Sequence, residues 1–157
     1  MTTAITLDSD QIYQLDLTPV NTVIESWLAE NDLLSHEQQL QLKIDFPRDP
    51  QDPRELSEIT EIRLWFIRLD AVYPWIALLL DWKSGELARY VAMLVPHQFH
   101  PKDGIQYNPE ALEIFVMHKI FVLSDWLKSQ GIDSVKKPKA MAQMLGYELD
   151  DALFKLV

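Results

Sequence analysis

The residues of this chain best suited to chemistry are His97, His100 and Asp103, in the segment PHQFHPKDG that runs from Pro96 to Gly104. Two imidazoles and a carboxylate are a familiar donor set for a divalent metal, which needs three or four such ligands converging on one point. The segment is rich in turn residues and reads as a loop, where a spacing of three is only a weak metal signal. No fourth ligand is indicated, and the alternative is that both imidazoles hydrogen-bond the loop backbone or face water. These three residues are therefore weak metal candidates, and no catalytic residue is assigned.

A second pair, His118 and Lys119, interrupts an otherwise apolar stretch. A buried charge or imidazole requires a partner, so the pair is either a perturbed site or a satisfied core histidine beside a lysine that reaches to solvent. Arg89, inside another apolar run, raises the same question, with the same answer if one face of its element is open to water.

Other chemistries are excluded by inventory. There are 4 glycines (Gly85, Gly104, Gly131, Gly146), too scattered to form a phosphate-cradling loop, and no serine lies in a Gly-x-Ser-x-Gly elbow. With no cysteine, thiolate catalysis, disulfides and cysteine-ligated clusters are impossible. No cofactor is expected.

The elements that must position these residues follow from periodicity. Thr18-Pro19 reads as an N-cap and first helical residue, and Val20, Val23, Ile24, Trp27 and Leu28 then recur at helical spacing as far as Asn31. Leu40, Leu42, Ile44 and Phe46 alternate with polar residues, which predicts a strand. PRDPQDP, residues 47–53, is a loop, and Asp52-Pro53-Arg54-Glu55 reads as a capping box opening a helix to about Val72, whose second half could also be strand. The runs Trp75–Leu80 and Leu87–Val95 around Gly85 predict a β-hairpin. Asn108-Pro109 caps a helix to about Gln130 that is apolar on nearly every side and so expected to be mostly buried. A polar linker, a short helix begun by Pro138 and a final turn around Leu153 and Phe154 complete the chain. The expected fold is α+β, a small antiparallel sheet (hairpin plus one or more strands) packed against several helices in a single domain over residues 1–157.

Composition narrows the possible partners. The 157 residues carry a net charge of −10, and residues 1–42 hold seven acids with no Lys or Arg. Phosphate backbones and anionic lipids repel such a chain, so nucleic acid is not an expected partner. No apolar run approaches the roughly 20 residues of a membrane helix and no signal peptide is visible, so a cytoplasmic protein without direct membrane insertion is expected. Protein partners remain. Aromatic anchors Trp75, Trp82, Tyr90 and Tyr107, with the acidic residues Glu25, Glu30 and Asp32, are the candidate contact residues. The same aromatics could equally fill a core.

Two stretches, PWIALLLDWKSGELARYVAMLVPHQF from Pro74 and GIQYNPEALEIFVMHKIFVLSDWL from Gly104, resemble the chlororespiratory reduction 6 family of cyanobacteria and chloroplasts. The resemblance implies a non-catalytic assembly factor for the photosynthetic NAD(P)H dehydrogenase-like (NDH-1) complex, located in the cyanobacterial cytosol or the stroma. The implied partner is the immature I subunit of the hydrophilic arm, a ferredoxin-like iron–sulfur protein. It implies no catalytic or ligand residues. The alternatives are a small metal-dependent enzyme or metal-binding protein using the His97/His100 loop, and a permanent accessory subunit of a larger complex.

Overall fold

Ile5 and Leu7 are buried while Ala4, Thr6 and Asp8 face water, the alternation of a half-buried strand. The computed structural model describes residues 2–132 and 135–156 and divides into two compact units, Met1–Leu94 and Val95–Val157. In the first unit, β1 (Thr3–Asp8) pairs in parallel with β2 (Leu40–Asp45), Thr3 opposite Leu40 and Asp8 opposite Asp45. Parallel partners need a crossover. It is supplied by α1 (Ser9–Tyr13), α2 (Thr18–Ala29) and a 3-10 turn, Leu33–His36. Asp8 caps α1 through a reciprocal pair with Gln11. α2 begins at Thr18 with Leu17, not Thr18, as its N-cap, and the Asp16 carboxylate accepts from the Thr18 N–H at 2.9 Å. That bond holds the Asp16 carboxyl below the usual carboxylate range. Asn31, at φ 51°, ends the helix, and the Asp32 N–H closes back on the Trp27 carbonyl at 2.9 Å.

After β2 the capping box sits three residues later than the sequence suggests. Glu55 and Glu58 cap a 3-10 turn, Leu56–Glu58, and α3 (Thr60–Val72) follows, helical throughout. Asp52 instead grips Arg54, and the guanidinium's hydrogen bonds lower its carboxyl to about 2. Ile62, Trp65, Phe66 and Leu69 form the buried face of α3.

The hairpin expected over Trp75–Val95 is not formed. Ile76–Leu78 is a buried 3-10 turn, and the second run is α4 (Glu86–Leu94). Short apolar runs do not separate strand from buried helix by periodicity alone, and here Leu87, Tyr90 and Val91 supply a helical face. The backbone beside Leu80 lines the free edge of β2, with Leu40 N–H on the Leu79 carbonyl at 2.7 Å and Asp81 N–H on the Leu40 carbonyl at 2.8 Å.

In the second unit, the segment expected to be a loop is itself a hairpin: β3 (His97–His100) runs antiparallel to β4 (Gly104–Tyr107). Asn108 then caps α5 (Pro109–Ser129) by accepting from the Ala111 N–H at 3.0 Å. Gly131, at φ 74°, ends it, with the Ile132 N–H on the Leu127 carbonyl at 2.8 Å. α5 is not buried on every side: Leu112, Val116, Ile120, Leu123 and Leu127 face inward, while Ile114 is 71% exposed. It packs with α6 (Lys136–Met144), and a 3-10 turn, Asp151–Lys155, buries Phe154. Part of the polar linker before α6 lies outside the described residues. The fold class is α+β, with one parallel and one antiparallel strand pair among helices.

Candidate functional site

Pairing in β3 decides the fate of the metal candidates. Residues three apart on a strand point to opposite faces, so His97 and His100 diverge where a loop could have let them converge. His97 uses Nδ1 to donate to the Val95 carbonyl at 2.9 Å, and its ring meets Phe99 and Tyr107 edge-on at 4.9 and 6.0 Å. His100 turns the other way, and its Nδ1 accepts the Lys102 and Asp103 N–H groups, both at 3.2 Å, with the Asp103 carboxylate 3.3 Å away. These imidazoles organise the hairpin. Among the described residues no three His, Cys, Asp or Glu side chains are placed to hold a metal ion.

His118 and Lys119 take the reverse of their expected places. His118 is exposed, and Lys119 is fully buried with Nζ 5.6 Å from the Phe115 ring centroid. A cation over an aromatic face recovers part of what the ammonium loses on leaving water. Arg89 lies on α4, not on a strand, where it donates to the buried Glu86 carboxylate at 2.7 Å and to the Leu42 carbonyl at 2.6 Å. It therefore ties α4 to β2. The cavity beside this pair, lined in part by Phe66, Tyr90 and Met93, is about 10 Å³, room for no more than a water molecule.

The candidate contact residues separate into two groups. Trp75, Trp82 and Tyr90 are buried in the first unit, where Trp82 Nε1 donates to the Ala77 carbonyl at 2.9 Å and the Tyr90 hydroxyl to Asp70 at 3.3 Å. They are core filler, because they belong to a buried turn and the inner face of a helix instead of an exposed hairpin. Burial and the adjacent Asp70 carboxylate push the Tyr90 hydroxyl well above its ordinary pKa. Tyr107 is half-buried beside a cleft of about 290 Å³ between the hairpin strands' ends, and burial raises it to about 12.

The acidic candidates are at the surface. Glu25 and Glu30 are exposed on and just after α2, and Asp32 is half-buried, 3.2 Å from His36 and accepting the Ser35 hydroxyl. His36 in turn stacks on Trp27 at 4.2 Å, which fixes the segment after α2. Glu25 accepts from the Asn21 amide at 3.0 Å, and Asn21 accepts the Tyr73 hydroxyl. Desolvation, and then the Glu25 charge, raise the Tyr73 pKa.

One surface was missed in the sequence. Leu64 and Ile67 on α3 are 51% and 47% exposed, directly opposite the buried face. The signal is present in the sequence: Leu64 and Ile67 are apolar yet fall off the helical spacing of Ile62, Phe66 and Leu69.

What this arrangement defines is an acidic α+β protein whose conspicuous features are surfaces. The chlororespiratory reduction 6 family model matches residues 7–156, and the chain belongs to that family, whose members are assembly factors of the NDH-1 complex. No solved structure matches the chain. Among the described residues no helix is long and apolar enough to cross a membrane.

Proposed function

We propose that this chain is a non-catalytic holder of the immature, ferredoxin-like iron–sulfur I subunit, keeping it competent for insertion into the hydrophilic arm of NDH-1, in the cyanobacterial cytosol or the stroma. Family membership over nearly the whole chain, joined to a sequence without cysteine, carries the reading. Without thiolates the chain has no means of ligating a [4Fe–4S] cluster in the usual way, so it handles polypeptide and not the cluster. It binds the immature subunit, covers its apolar surface and yields it when permanent neighbours compete successfully. Glu25, Glu30 and Asp32 supply the electrostatic part of the contact, and Tyr107 is the aromatic candidate that retains surface. Trp75, Trp82 and Tyr90 contribute by shaping the unit from within.

The test is a titration of the purified chain with cluster-free and cluster-loaded I subunit at two salt concentrations. Tighter binding of the cluster-free form, weakened by salt, is expected. Equal affinity for both forms, or none for either, would sink the reading. Stoichiometric retention of the chain in the finished complex would replace a transient factor with a permanent subunit.

A further inference from the structure

α3 is a helix with two apolar faces. At 100° per residue, Ile62, Trp65, Phe66 and Leu69 point one way, and Leu64, Ile67 and Ala71 lie opposite, all three exposed. A lone exposed leucine needs no explanation, but three apolar side chains at i, i+3 and i+7 form a continuous stripe. Burial on the inner side already uses the residues that hold the helix in place, so the outer stripe is not required for folding.

The electrostatics around the stripe specify what could cover it. The first unit contains 16 acids against 7 bases. Glu58 and Glu61 stand at the start of α3, close enough to Arg54 to act on its pKa, and Glu25 stands beside Tyr73 at the end. A 13-residue helix is about 20 Å long, so the middle of the stripe lies within roughly one Debye length of carboxylates at either end. Arg68, exposed on the flank, offsets one of these charges.

We propose that the outward face of α3, centred on Leu64, Ile67 and Ala71, is the docking site for a polypeptide surface with an apolar centre and a basic rim. An apolar patch between anionic ends favours such a partner and disfavours an acidic one, including a second copy of this chain. This deepens the partner reading above and rests on it for the choice of subunit.

The decisive variant is Leu64→Gln with Ile67→Gln, which keeps helix-forming residues on exposed positions. Its thermal midpoint is expected to match the wild type, while affinity for cluster-free I subunit falls tenfold or more. Glu25→Gln with Glu61→Gln is expected to slow association severalfold at low salt and to converge with the wild type at high salt. If the Gln pair lowers the thermal midpoint, Leu64→Ala with Ile67→Ala replaces it in the same titration. Unchanged affinity overturns the proposal, as does a wild-type dimer in sedimentation that the Gln pair dissociates. If the I subunit does not bind the wild type, the partner reading fails by itself, and each remaining soluble hydrophilic-arm subunit is titrated in turn. One that prefers the wild type tenfold sustains the α3 face, and none doing so overturns it.

Discussion

The two units are close in type but not in charge. Residues 1–94 hold 16 acids and 7 bases, whereas residues 95–157 hold 8 and 7, so nearly all of the net −10 belongs to the first unit. They also treat interior charge differently. The first unit pairs a buried Glu86 with Arg89, whose side chain is 40% exposed, and so keeps one end of the ion pair in contact with water. The second unit encloses Lys119 completely beside an aromatic ring. Acidity here is therefore not a general solubility device spread over the chain but a property of the first unit. Both units expose apolar side chains on a helix, Leu64 and Ile67 on α3 and Ile114 and Phe121 on α5, but only the α3 pair lies in a unit with a large excess of acid.

The largest expected effect tests whether the first unit has a core able to support that surface. Trp65 is fully buried, donates from Nε1 to the Asp16 carbonyl at 3.1 Å and meets Phe66 edge-on at 5.3 Å. Trp65→Ala removes this packing and should cost about 3–5 kcal/mol, a large share of a typical domain's stability. Urea denaturation reads it as a lower midpoint. The outward-facing Ile114→Ala in the second unit should move the midpoint by about 0.5 kcal/mol or less. Equal shifts for the two would erase the distinction between core and surface drawn here.

How much of this was legible in the sequence depends on whether one element's pattern suffices to define it. α2, β2 and α5 were readable because a cap or a proline begins each helix and because Leu40 and Leu42 alternate with polar residues. β1 left only two buried positions, Ile5 and Leu7, too short a signal to stand without its partner β2. Residues 75–95 failed for a different reason: the first run, Trp75–Leu80, is buried throughout and shows no period, and the second, although Leu87, Tyr90 and Val91 recur at helical spacing, is short enough to pass for a strand. The hairpin at His97–Tyr107 was hidden behind its prolines and its exposed surface. The site was less legible still. Whether Trp75 and Trp82 anchor a partner or fill a core depends on the element that carries them, and that element was misread. The exchange of roles between His118 and Lys119 turns on a rotation of 100° along α5, finer than an all-apolar helix can reveal from its sequence.

A smaller effect addresses the interior charges. Arg89→Met keeps the apolar stem but leaves Glu86 buried without its guanidinium and the Leu42 carbonyl without its donor. The cost should be about 1–3 kcal/mol by urea denaturation, because water reaches the vacated position and solvates part of the carboxylate. Glu86→Gln with Arg89→Met removes the stranded charge and should recover part of the loss. If the double variant is no better than the single one, the pair's role is the bond to β2 and not charge neutralisation.

The smallest effect compares the units at high pH. Burial raises Tyr107 in the second unit to about 12, and burial together with the Asp70 carboxylate raises Tyr90 in the first unit well above its ordinary value. Above pH 10 the unfolded chain loses these phenolic protons while the folded chain keeps them. The unfolded state then binds fewer protons, so stability is intact below pH 10 and falls as pH rises toward 12. A shift of two units corresponds to about 2.7 kcal/mol, which solvent screening of the half-buried Tyr107 ring reduces to about 1 kcal/mol. Tyr107→Phe should therefore flatten the alkaline limb of the stability profile by that amount and leave the Tyr90 contribution in place. An alkaline limb that Tyr107→Phe does not alter would mean that the hydroxyl is solvated in the folded state. The hairpin cleft would then be open where the structure has the ring half-covered.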